Sequence, residues 1–162
     1  MDSSKIVTEL EKRYPDPPLH LDSPILAEIE EIRKTMALPL SPILMPRIPR
    51  SILNQASVNY FNETRSKRLG MPLDEFEKSE KGGEAAYRNA EPVLRKIAEL
   101  LRQNGGPFFM GRDVSYSDFI VVGFFRFLHR LGNDVFERVM DIDNSFPRLY
   151  NACQPWLERD DH

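Results

Sequence analysis

Ser115 and Asp118 stand three residues apart at the head of the most apolar stretch of the chain, GPFFMGRDVSYSDFIVVGFFRFLHRL. At that spacing a hydroxyl and a carboxylate can satisfy the free amides of a helix N-terminus reciprocally, so the pair reads first as a capping box and only second as reactive chemistry. Asp118, Tyr60, Arg65 and His129 are the residues that offer acid or base groups to a bound molecule. Arg65, Lys67 and Arg68 can hold a carboxylate or phosphate, although a solvated helix face accounts for them equally well. Met36, Met45, Tyr60, Phe61 and Phe124 can line an apolar pocket with Arg65 at its edge; such residues are as often plain core.

The remaining candidates are weaker. Cys153 is the single cysteine, with no partner base and no evident helix N-terminus, which makes it a buried small residue rather than a nucleophile. His20, His129 and His162 have no His, Cys or carboxylate at metal-ligand spacing, so no metal site is expected. His129, beside Arg126 and Arg130, is placed to cap the carbonyls of a helix end.

Helices must position these residues, because strand signal is nearly absent. Ile6, Val7, Leu10 and Tyr14 form one helical stripe, with Asp2 or Ser3 as cap and Pro15 as stop. A proline-rich exit follows, and a second helix starts at Ser23-Pro24 and carries Ile25, Ile29, Ile32 and Met36 toward Leu38. Between residues 39 and 49 a proline recurs every three or four positions, which predicts broken turns forming an irregular wall rather than a regular helix. Residues 54–70 read as a short helix ending at Gly70, and residues 71–83 as a loop with one helical turn. Ala86, Ala90, Leu94, Ile97 and Leu101 mark a long helix in which Pro92 implies either a kink or a fresh start near Asn89.

Phe119, Ile120, Val121, Val122, Phe124, Phe125, Phe127, Leu128 and Leu131 are apolar on nearly every face, so the helix after Ser115 is expected to be the buried axis, with Val114 and Phe119 at staple positions. A final pair covers about 133–140, with Phe136 and Val139 inward, and 147–158, with Leu149, Cys153 and Trp156 inward. The expected fold class is all-α, a helical bundle around a buried central helix.

Composition limits what such a bundle does. At 162 residues, 41% apolar and 29% charged, the chain suits one core with an N-terminal appendage. A net charge of −3 with interspersed signs offers no field for nucleic acid. One cysteine excludes an internal disulfide framework, and no apolar run reaches the roughly 18 residues of a membrane span. No signal-peptide pattern is present at Met1, which makes the cytoplasm the expected location.

Gly111, Ser115 and Asp118, in the order G-x-x-x-S-x-x-D at the head of a buried helix, resemble the C-terminal all-helical domain of cytosolic glutathione transferases. Asp2-Ser3-x-x-Ile6 and the exit Tyr14-Pro15 resemble the end of that family's thioredoxin-like domain. Tyr60-Phe61-x-x-Thr64-Arg65-x-x-Arg68-x-Gly70 is similar to the fungal class related to ether-cleaving bacterial transferases. The resemblance implies that residues 1–18 are a remnant helix and exit linker of the thioredoxin-like domain, and that residues 19–162 are the helical domain.

It also implies glutathione as cosubstrate, with Asp2 and Ser3 near its γ-glutamyl end, where helix amides favour an anion. The family's thiol-activating residue and cis-proline loop have no counterpart by motif, so the site is expected to be incomplete. Simple helix capping accounts for Asp2 and Ser3 as well.

Three functions stay open at this point. The first is a glutathione transferase-like protein of small-molecule metabolism whose helical domain binds an apolar substrate between the second helix, the proline-rich wall and the central helix. The second is a glutathione-independent isomerase, cyclase or lyase that uses the same pocket. The third is a non-enzymatic binding or assembly module. The apolar stripe of the first helix calls for a cover, either a second copy or a chain supplying the missing domain. Expected partners are thus a small apolar molecule and such a chain, without nucleic acid or membrane.

Overall fold

The computed structural model describes residues 3–158, and every regular element among them is a helix. In chain order these are α1 (Ser3–Arg13), α2 (Pro24–Arg33), α3 (Ser41–Ser51), α4 (Gln55–Leu69), α5 (Leu73–Glu77), α6 (Gly83–Arg102), α7 (Tyr116–Leu131), α8 (Asn133–Met140), α9 (Ser145–Ala152) and α10 (Gln154–Leu157). Extended pairing among the described residues is confined to two isolated bridges before α7, Phe108 with Gly111 and Met110 with Asp113. The fold is the all-α bundle expected from the sequence.

The axis is α7. Its capping box forms, and Asp118 does more than cap. One carboxylate oxygen accepts from the Ser115 amide at 2.7 Å and from the Ser115 hydroxyl at 2.6 Å. The other accepts from the Phe109 amide at 2.9 Å, fastening the preceding loop to the helix start. That loop doubles back because Gly111 takes φ +79° and because a Cβ on Gly106 would meet the Gly111 carbonyl oxygen at 1.8 Å. Beyond the cap, Val121, Val122, Phe124, Phe125, Leu128 and Leu131 are buried as α7 packs on α2, α3, α8 and α9. Each such large side chain contributes roughly 1.5–3 kcal/mol when fully buried. The stripe Ala86, Ala90, Leu94, Ile97 and Leu101 of α6 is buried in the same core.

Four sequence expectations need correction. Residues 41–51 form a helix in spite of their prolines. Pro42 sits in the first turn, where its missing donor has no intrahelical partner to lose. Pro46 and Pro49 remove the amides that would bond to Pro42 and Met45, yet burial of Ile43, Leu44 and Pro46 against neighbouring helices outweighs those losses. Second, α6 runs from Gly83 through Pro92 to Arg102, so the fresh start near Asn89 does not occur; the freed acceptor, the Arg88 carbonyl, belongs to an exposed residue. Third, the last helix divides at Cys153 into α9 and α10, and Trp156 is exposed while Leu149 and Cys153 are buried. Fourth, α2 ends at Arg33 and turns follow, although Met36 remains in the core.

α1 is tied on by its own chemistry. The Leu19 amide donates to the Glu11 carboxylate at 2.9 Å, and the Leu19 carbonyl accepts from the Tyr116 amide at 3.0 Å, so the exit linker is stitched to the start of α7. Val7 is buried, whereas Ile6, Leu10 and Tyr14, at helical spacing, are 43%, 47% and 70% exposed.

Candidate functional site

α4 is the unusual helix of this bundle. Asn54 caps it by accepting from the Ser57 amide at 3.0 Å, and Gly70 ends it at φ +74°, a conformation glycine adopts without strain. None of its 15 residues is buried. It packs on α3 and α5 alone among the principal helix contacts. Val58, Asn62 and Ser66 recur every four residues on the side that meets α3 and α5, so the inward stripe of this helix is largely polar.

A groove of about 640 Å³ opens there, within the range of small-molecule sites. Pro46, Pro49, Leu53, Val58, Pro72 and Leu73 give it an apolar floor, and Arg50, Gln55, Asn62, Ser66 and Asp74 supply polar groups. Pro46 and Pro49 of α3 belong to this wall. The sequence placed the pocket on the other side of that wall, between the second helix and the central helix. There Ile25, Ile29, Leu40, Ile43 and Val121 close the space as core.

The residues singled out from sequence lie apart from one another. Met36 and Phe124 are in the core, and Met45 is half-buried on α3. Phe61 is half-buried under the Arg65 guanidinium, 4.9 Å from its ring centroid. Tyr60 is 72% exposed on α4. Asp118 is fully buried; burial pushes its carboxyl above the usual carboxylate range, against the hydrogen bonds from Ser115 and Phe109 that pull it down. His129 meets Phe136 at a tilt, 4.8 Å between ring centroids, and Tyr150 edge-on at 6.4 Å, an aromatic cluster rather than a helix cap. Burial raises the Cys153 thiol to about 12. Among the described residues no group of three or more His, Cys, Asp or Glu is placed to hold a metal ion, and no helix is long and apolar enough to cross a membrane.

Arg50, Asn62, Ser66 and Asp74 are absent from the sequence reading. For Asn62 and Ser66 the signal was the lack of any apolar stripe on the 55–69 helix, a pattern that marks a face not used for core packing; Arg50 and Asp74 carried none.

A second groove, of about 410 Å³, lies between α1, the linker and α2, lined by Ser4, Val7, Thr8, Leu21, Asp22, Ser23, Pro24, Leu26, Ala27, Glu30 and Tyr116. A third, of about 470 Å³, is bounded by Pro17, Pro18, His20, Phe108, Val114 and Trp156 with Asp16, Arg112 and Asp113.

A bundle built on a capped, buried central helix with this loop before it is the helical half of a known class, and residues 28–156 match the family model for the glutathione S-transferase C-terminal domain. The chain belongs to the glutathione S-transferase family. It is 31% identical to the glutathione S-transferase-like protein ustS of Aspergillus flavus, over 98% of this chain and 61% of that protein. The solved glutathione S-transferase CsGST83044 of Ceriporiopsis subvermispora, in complex with glutathione, aligns at TM-score 0.77 and 26% identity over 95% of this chain and 65% of its own. Glutathione transferase GSTFuA2 of Phanerochaete chrysosporium aligns at 0.76 and 25%, over 99% and 66%. The chain thus spans a little under two thirds of the length of these relatives.

Asp2 and the side chain of Ser3 lie outside the described residues. Among the described residues the neighbouring groove is lined by Asp22 and by Glu30, whose carboxylate Arg33 already holds at 2.8 Å, and by no Arg, Lys or His. Glutathione carries two carboxylates and one ammonium, and of this lining Asp22 suits the ammonium.

Proposed function

We propose that this is a glutathione S-transferase-like protein of small-molecule metabolism whose helical domain binds an apolar substrate in the groove between α3, α4 and α5. The observation that carries this reading is a 15-residue helix with no buried residue, standing over an apolar floor of prolines and leucines. Such a helix gains little from the core, and the open volume beneath it is of ligand size. The role of these residues is to bind and orient the acceptor; activation of glutathione is assigned to none of them.

Residues 1–18 are read as the junction with a thioredoxin-like unit. The exposed stripe Ile6, Leu10 and Tyr14 supports a cover of that kind, as further chain, a partner chain or a second copy. The glutathione-independent alternative lacks comparable support, because Asp118 is engaged by three hydrogen bonds and His129 sits in an aromatic cluster.

The test is fluorescence titration with the neutral apolar probe N-phenyl-1-naphthylamine. Binding should saturate and be lost in Val58→Trp, which fills the groove from a helix with no core role. Absence of binding, or binding unchanged in Val58→Trp with the melting temperature preserved, would refute the groove as the site.

A further inference from the structure

The charges along the groove narrow the class of molecule it takes. Arg50 closes the last turn of α3, and Asp74 lies in the first turn of α5; both line the same groove. Elsewhere among the described residues four ion pairs join different parts of the fold. Arg47 grips Asp134 with two bonds of 2.7 and 2.8 Å, Arg138 grips Glu84, Arg102 grips Asp143, and Lys96 meets Glu28 at 3.2 Å. Arg50 and Asp74 form no ion pair or hydrogen bond with each other or with any other described residue, so each keeps its charge toward the groove and solvent.

In the same groove the side chains of Asn62 and Ser66 likewise have no partner among the described residues, while Leu53 and Val58 provide apolar surface. A guanidinium favours a carboxylate and an aspartate favours an ammonium, and each repels the ligand charge that suits the other. A plain fatty anion or a plain amine would meet one favourable and one unfavourable charge. We propose that the groove selects a zwitterionic amphiphile, an apolar body with a carboxylate directed to Arg50 and an ammonium directed to Asp74. This inference rests on the groove being the ligand site.

The experiment is a 1H–15N chemical-shift titration of the full chain with the ω-amino acids 4-aminobutanoate, 6-aminohexanoate and 8-aminooctanoate, against octanoate and octylamine. One member of the zwitterion series should bind a few-fold more tightly than either singly charged probe, the gain from the one additional matched charge. Its shifts should map to α3, α4 and α5. Arg50→Gln should remove that preference and improve octylamine relative to octanoate, and Asp74→Asn should do the reverse; both positions are exposed, and an unchanged melting temperature verifies folding. Equal binding of all probes, or a preference untouched by both substitutions, would overturn the charge assignment. If N-phenyl-1-naphthylamine still binds under those conditions, the apolar groove stands without it. If no probe binds, both readings fall.

Discussion

Replacing Asp118 by alanine tests whether one carboxylate organises the start of the central helix and the loop before it. The side chain is fully buried and accepts from the Phe109 amide, the Ser115 amide and the Ser115 hydroxyl. Its loss leaves two buried backbone amides unpaired, at about 1–3 kcal/mol each. Part of that is offset, because the ionised carboxylate no longer has to be held out of water. The net expectation is about 3 kcal/mol, which in a chain of this size lowers Tm by roughly 6–12 °C.

Ser115→Ala removes only the hydroxyl contact and should cost about 1 kcal/mol. Asp118→Asn should fall close to alanine, since its amide group turns a donor toward one of the two amide donors. The assay is urea and thermal unfolding of all three variants, with the urea m value unchanged.

The pH dependence has a fixed sign. Burial raises the folded-state carboxyl above its ordinary 3.8, so the contribution of this titration is fully present below that value and lost as pH rises through the raised one. The gap between wild type and Asp118→Ala should therefore widen as pH falls through the folded value. A gap that narrows there, or a loss no larger than that of Ser115→Ala, would refute the network and leave an ordinary cap.

Two further outcomes follow from the geometry. Cys153, buried and raised to about 12, should react with a disulfide reagent at pH 8 about three orders of magnitude more slowly than a free thiol, and at the free rate in urea; fast reaction in native protein would contradict its burial. Asp134, held below the usual carboxylate range by Arg47, should lend at most about 1 kcal/mol through a partly exposed pair. That contribution is present above about pH 4 and disappears as pH falls through the depressed value, so unfolding curves of Asp134→Asn and wild type should converge in acid.

The central helix was legible because its signal is redundant: a box at Ser115 and Asp118 followed by apolar residues on every face leaves one placement. The limits of α4 were legible through Asn54 and Gly70 for the same local reasons. The 41–51 helix was not. Its prolines argue against helix residue by residue, and only the tertiary burial of Ile43 and Leu44 reverses that local preference. The groove was missed because Met36, Met45 and Phe124 drew attention by size and softness, properties that suit core as well as pocket. The side chains that do line the groove, such as Asn62 and Ser66, are individually unremarked types whose meaning depends on what they face.

The absence of buried residues in α4 also bears on how this protein can change over generations. No side chain of α4 is buried, so substitutions at Val58, Asn62 and Ser66 open no core cavity and cost less than changes in the bundle beneath. Under the proposed reading, part of the groove lining therefore sits on a helix outside the core, which gives selection a wall to rewrite at little risk to the fold that carries it.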